Sequence, residues 1–141
     1  MYKLVPLDTG GTDKIPIDPA TGYNSDAQDA ATWMLPSVAL GWATAYGAGF
    51  GVGIVIHEDS KLFCLDIDGG VAADGTLSPI ARKLVTEFAG CYIEYSQSGR
   101  GFHIIGSYEG DPPAHSTKNK AEHIELYTSR RFIALTGNLY A

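Results

Sequence analysis

The sequence predicts an α+β fold: a mostly antiparallel mixed sheet with helices packed on it. Short apolar runs of strand length recur through the chain, separated by polar or glycine-containing turns. Helical spacing is confined to residues 25–48 and 78–89. The length, 141 residues, is that of one domain able to bury a core without disulfide staples.

Each element follows from local chemistry. Residues 1–24 form an N-terminal arm with short strands, because each proline of Lys14-Ile15-Pro16-Ile17-Asp18-Pro19 keeps its predecessor extended. Ser25 or Asp26 caps a short helix through Trp33, and Ser37 caps a second over Val38–Tyr46 that ends at Gly47 and Gly49. Val38, Trp42, Ala45 and Tyr46 recur at helical spacing and are expected in the core. Gly51–Ile56 and Lys61–Asp68 read as strands of a hairpin closed by His57-Glu58-Asp59-Ser60. The nearly continuous apolar run before Asp66 marks a central strand. Ser78 caps a helix to Ala89 that starts on Pro79, with Ile80, Leu84, Val85 and Phe88 as its apolar stripe. Cys91–Tyr95 and Phe102–Gly106 are strands joined by Ser98-Gly99-Arg100-Gly101. Residues 107–120 form a polar loop, and His123–Tyr127 and Arg131–Thr136 are the last strands.

Composition removes several classes. Apolar residues at 45% and charged residues at 18% describe a globular chain. The net charge of −6 disfavours a general nucleic-acid sponge but not an acidic metal site. No apolar run reaches the ~18 residues of a membrane span, and the N-terminus has no apolar signal core. Cys64 and Cys91 lie in apolar runs and read as buried reduced thiols of a cytoplasmic protein. Neither a zinc motif nor a phosphate-binding Gly-x-x-x-x-Gly-Lys-Ser/Thr loop is present.

The sharpest chemical feature is Leu65-Asp66-Ile67-Asp68-Gly69-Gly70. Carboxylates at i and i+2 of a strand share a face, repel, and raise each other's pKa. A hard cation, Mg²⁺ or Mn²⁺, between them relieves that repulsion. A strand end followed by a turn is the bland alternative. Glu125 also interrupts an apolar strand, and beside Asp66 it would complete the carboxylate set of a two-metal site. Glu94 has a similar setting, and the pattern does not choose between them.

Ser96-Gln97-Ser98-Gly99-Arg100-Gly101-Phe102-His103 combines close-approach glycines, a guanidinium and an imidazole, all suited to anionic oxygens. A plain hairpin turn explains the glycines equally well. Ser129-Arg130-Arg131-Phe132 places paired arginines beside the Glu125 strand. Residues 100–131 carry five basic side chains against four acids, whereas the first 99 carry five against twelve. The basic residues gather toward the suspected phosphate side.

The order of these pieces resembles the primase–polymerase domains of the archaeo-eukaryotic primase superfamily, above all the N-terminal domains of phage and plasmid primase–helicase proteins. The likeness runs from about residue 14 to 138. It rests on the opening Lys14-Ile15-Pro16-Ile17-Asp18-Pro19-x-Thr21-Gly22, the carboxylate pair, Ser-x-Ser-Gly-Arg-Gly-x-His, Ile-Glu-Leu-Tyr and Arg-Phe-x-x-x-Thr-Gly-Asn.

The resemblance implies a primase-like core of RRM-like type, with residues 1–141 as one domain or as a fragment of a longer primase–helicase. Asp66, Asp68 and Glu125 would bind the catalytic Mg²⁺ or Mn²⁺ ions. Ser98, Arg100 and His103 would contact the nucleotide phosphates, Arg130 or Arg131 would sit near the nucleotide, and Tyr127 would pack by its sugar. Gly137 and Asn138 would be structural. The implied activity is template-directed nucleotidyl transfer in phage or plasmid DNA replication, in the host cytosol if the chain is phage-encoded. Its partners would be nucleoside triphosphates, single-stranded or primed DNA, and a downstream helicase domain or replication protein. The alternatives are a non-catalytic nucleotide- or single-stranded-DNA-binding module and a metal-dependent nuclease.

Overall fold

The structure, a computed structural model, describes residues 1–140. The chain divides into two compact units, Met1–Val55 with Phe132–Leu135, and Ile56–Arg131 with the residues from Thr136 onward.

In the first unit, β1 (Tyr2–Pro6) and β2 (Thr12–Pro16) pair antiparallel, with Tyr2 opposite Pro16. The arm is therefore a hairpin. The helix expected through Trp33 is instead one 3-10 turn, Ala30–Thr32. Two consecutive Asx turns displace it: Asp26 Oδ1 accepts from Gln28 N at 2.8 Å and Asp29 Oδ1 from Ala31 N at 3.0 Å. Helix α1 (Pro36–Tyr46) begins one residue before Ser37, with Leu35 as an extended N-cap and no side-chain cap bond. Pro36 presets the first turn and holds Leu35 extended, which moves the start.

The buried face of α1 is Ala39 and Ala43, not the expected stripe. Val38 stays 46% exposed and Trp42 40%, and Ala45 is exposed as well. Tyr46 turns its hydroxyl to the Pro19 carbonyl at 2.8 Å. Residues Phe50–Gly51 form β3, which pairs with β1. β4 (Gly53–Ile56) pairs with β10 (Arg131–Ala134), so the hairpin expected between 51 and 68 does not form. Gly53 permits this pairing: a Cβ there would collide with the Phe132 ring and the Ile133 carbonyl. The polar segment holds a 3-10 turn, Glu58–Ser60, and Lys61 in the left-handed region at φ 53°.

The second unit is built on β5 (Leu62–Ile67), helix α2 (Pro79–Glu87), β6 (Tyr92–Tyr95), β7 (Phe102–Ser107), β8 (Lys118–Asn119) and β9 (Ile124–Tyr127). The strand order is β6-β7-β5-β9-β8, antiparallel throughout, with β5 central as its apolar run predicts. β8 is a short edge strand inside the segment expected to be loop. The α+β class and the antiparallel pairing hold, although the strands are distributed over three sheets.

Ser78 caps α2 as expected, its Oγ accepting from Ala81 N at 3.2 Å. Ala81, Leu84, Val85 and the C-cap Phe88 pack onto a core of Leu65, Ile67, Phe102, Ile104 and Ile93, with Ala81 rather than the expected Ile80 opening the stripe. Those strand residues all occupy alternate positions, so the intervening residues face the other side. Truncating the fully buried Ile104 to Ala costs about 2–5 kcal/mol by general experience with such sites.

The β6–β7 turn shows why its two glycines differ. Gly99 has φ 70° with open space around its Cα. Gly101 instead lies against the Ile67 carbonyl, and a Cβ there would collide with backbone. Gly99→Ala should therefore cost about 1 kcal/mol, from left-handed strain alone. Gly101→Ala should cost about 3 kcal/mol, because neither backbone can give way. Urea denaturation midpoints of the two variants measure this; equal shifts would disprove the close-packing account of Gly101.

Candidate functional site

On the sheet face opposite α2, ladder register lines up Glu94, His103, Asp66, Glu125 and Lys118 across all the strands of the second unit. The next row holds Tyr92, Ile105, Cys64 and Tyr127. Directly paired residues keep their Cβ atoms about 4.5–5.5 Å apart, so each side chain in a row reaches its neighbour.

Asp66 sits at the centre. Its side chain is 26% exposed, and its nearest basic partner is His103, with Nε2 at 4.0 Å from Oδ1. Burial pushes its carboxyl above the ordinary range. The His103 ring opposes that shift, the Glu125 and Asp68 charges add to it, and Arg131 counters it from further away. Asp68 lies one residue beyond the strand, exposed on a bend, with its amide donating to the His123 carbonyl at 2.9 Å.

Glu125 is the better-neutralised acid. Lys118 Nζ lies 2.6 Å from its Oε1 and Arg131 Nη2 3.9 Å from its Oε2, and the Tyr127 hydroxyl also donates to Oε2. The Lys118 contact, then Tyr127, hold this carboxyl below its usual range. Burial and the Glu125 contact push the Tyr127 phenol upward. The Arg131 guanidinium stacks over the Tyr127 ring at 4.3 Å from its centroid. Arg130 is exposed, has φ 51°, and forms no ion pair among the described residues.

Glu94, the rival acid, has a different character. It is completely buried. Its carboxylate accepts from the Tyr92 hydroxyl at 2.8 Å, from Thr136 N at 2.9 and 3.1 Å, and from Gly137 N at 2.9 Å. His103 Nδ1 lies 2.8 Å from Oε1. Burial would raise its pKa, but the bonds from His103, Tyr92 and the two amides outweigh burial and hold it below the usual range. Thr136 and Gly137 thus have a definite structural task, and the Thr136 hydroxyl adds a bond to the Tyr95 carbonyl at 2.7 Å.

Ser98 and Arg100 stay in the exposed β6–β7 turn. Ser98 Oγ lies 3.2 Å from Ser96 Oγ and accepts from Arg100 N at 3.2 Å. The structure therefore brings Asp66, Glu125, His103, Tyr127 and Arg131 together. Asp68, Ser98, Arg100 and Arg130 lie on adjoining turns.

Sequence reading left Lys118 in a loop and could not assign Glu94. Counting outward from the closing Ser96–Gly101 pair puts Glu94 opposite His103, so hairpin register could have found that contact.

Among the described residues, no three His, Cys, Asp or Glu side chains are arranged as a ready metal cage. Lys118 and Tyr127 engage the Glu125 oxygens, and Asp68 has left the strand. Asp66 and Glu125 are nevertheless direct ladder partners on one face, and the Glu125 charge acts on the Asp66 carboxyl. Mg²⁺ takes one or two carboxylates and completes its shell with water and phosphate rather than with an all-protein cage. No helix among the described residues is long and apolar enough to cross a membrane. Scans against protein-family models and curated proteins find no match to this chain.

The shifts of Asp66 and Glu94 act oppositely on stability. Asp66 holds its proton more tightly folded than unfolded, so its contribution falls as pH rises through its folded pKa. Glu94 contributes stability above the ordinary carboxylate range and loses it as pH falls through its folded pKa. Asp66→Asn should therefore raise the melting temperature at pH 7, and the gain should shrink on acidification through the carboxylate range. Thermal scans from pH 7 to 4 check this, and a pH-independent gain would show that Asp66 carries no raised pKa.

Proposed function

We propose that the second unit is the core of a metal-dependent nucleotidyltransferase of the primase–polymerase kind, extending or initiating a DNA-templated strand. The observation that carries this reading is the register pairing of Asp66 with both Glu125 and His103 in the middle of the sheet. Strand carboxylates that face each other, with an imidazole alongside, suit a cation and a polyphosphate. The order of the motifs, similar to that family's, supports the same reading.

In this reading Asp66 and Glu125, joined by Asp68 from the following bend, hold Mg²⁺ or Mn²⁺. The bound ion supplies Lewis-acid polarisation of the phosphate and a lower pKa for the attacking hydroxyl. His103 and Arg131 offset the charge of the triphosphate, and the Tyr127 ring keeps the Arg131 guanidinium in place. Arg100 and Ser98 reach the phosphates from the β6–β7 turn, and Arg130 adds positive charge beside the nucleotide. A primer 3′-hydroxyl oxygen bonds to the α-phosphorus, the α–β anhydride bond breaks, pyrophosphate leaves, and the hydroxyl proton passes to solvent.

A second reading, a triphosphate- or single-stranded-DNA-binding module without chemistry, draws on one observation: Lys118 already neutralises Glu125. Calorimetry with Mn²⁺ and a deoxynucleoside triphosphate separates the two. Wild type should bind the triphosphate in a metal-dependent way, and Asp66→Ala/Asp68→Ala should lose that binding while staying folded. Primer synthesis on single-stranded DNA should then follow only for wild type. Metal-independent triphosphate binding that survives the double substitution favours the module; no triphosphate binding by folded wild type refutes the nucleotidyltransferase, and binding of single-stranded DNA then decides the module.

A further inference from the structure

Glu94 has no place in the reaction described above, yet it is the most fully hydrogen-bonded side chain of the row. It is completely buried, and burying a carboxylate is costly unless donors replace its water. Four donor groups surround it: the Tyr92 hydroxyl, the Thr136 and Gly137 amides, and the His103 ring. The first three belong to the scaffold. His103 is the only one of the four that also approaches Asp66.

The proton on the ring can be placed from this geometry. An ionised carboxylate has no hydrogen to give, so in the 2.8 Å contact Nδ1 must be the donor. That places a hydrogen on Nδ1 and aims Nε2 at the Asp66 side of the row, 4.0 Å from Oδ1, where an N–H on Nε2 would donate to a phosphate oxygen. In free solution, histidine has no such constraint on rotation or tautomer. Carboxylates hydrogen-bonded to the far nitrogen of a working imidazole orient it in the same way in other enzymes.

We propose that Glu94 is a positioning residue: clamped by Tyr92 and by the Thr136-Gly137 turn, it locks the His103 ring with Nδ1 protonated and Nε2 presented to a triphosphate beside Asp66. The triphosphate part rests on the proposed nucleotidyltransferase reading, and the lock itself does not. The Thr136-Gly137 turn thereby reaches Glu94 from more than forty residues further along the chain.

Long-range ¹H–¹⁵N correlation spectra of the wild-type chain test the lock directly. His103 should show a protonated, hydrogen-bonded Nδ1; a ring protonated only on Nε2 overturns the proposal. Glu94→Gln should release this signature and weaken Mn²⁺-dependent binding of a deoxynucleoside triphosphate by about 10-fold or more. In a His103→Ala background the same substitution should cost nothing further. Additive losses, or a folded Glu94→Gln chain that keeps wild-type binding and spectrum, would overturn it. Because Glu94→Gln turns amide donors toward the Thr136 and Gly137 amides and can unfold the chain, Tyr92→Phe is the second variant. It loosens Glu94 with both backbone bonds intact, and should show a smaller loss that also vanishes without His103; a loss that persists there overturns the proposal. If wild type binds no triphosphate, the nucleotidyltransferase reading fails while the spectrum still decides the lock.

Discussion

The register of β5 is the constraint on which the rest of the second unit depends. Its odd positions, Leu65 and Ile67, lie in the core with α2, and its even positions, Cys64 and Asp66, face the other way. A slip of one residue would push the Asp66 carboxylate into that core and expose two of its largest members. The pairing with β7 and β9 on either side fixes the register twice over. The same pairing decides which residues meet Asp66, so packing and site geometry are one choice. The closeness of Gly101 to the Ile67 carbonyl is a further check on that register.

Charge along the row is graded by the partners each acid finds. Glu94 is saturated with donors, Glu125 is paired with Lys118 and Tyr127, and Asp66 has no cation-forming group nearer than the His103 ring at 4.0 Å. Buried acids with full sets of donors serve structure, while an under-compensated one in a cleft is a candidate functional group. That contrast separates Glu94 from Asp66 although both are acids inside apolar strands. Cys64, beside Asp66, is pushed far toward the neutral thiol by burial, then by the Asp66 charge, and is inert filler.

The legible parts of the sequence were those governed by local chemistry. Ser78-Pro79 announced α2, the continuous apolar run announced a central β5, and the glycine-containing turn announced β6 and β7. Asp66, His103 and Glu125 stood out because charged groups interrupt strands there. The parts that failed depend on distant residues. Nothing near β4 says that its partner is β10, since the reason is the space that Gly53 leaves for Phe132. The stripe Val38-Trp42-Tyr46 has helical spacing, but the small Ala39 and Ala43 allow closer approach and take the buried side. Glu94 could not be told from Glu125 by composition, because its donors at Thr136 and Gly137 come from far along the chain.

That separation bears on the order in which the molecule assembles. Between Arg131 and Thr136 the chain passes through the first unit before it returns to the second. During synthesis from the N-terminus, the β5, β6 and β7 strands are available while the Thr136 and Gly137 amides do not yet exist. Until those amides emerge, Glu94 must keep its water or take up a proton. Contacts between residues this far apart in sequence slow folding, because the intervening chain must close before they form. Released chains ending at Arg131 and at Tyr140 would differ in the protection of β6 amides from hydrogen exchange, the longer one being closed.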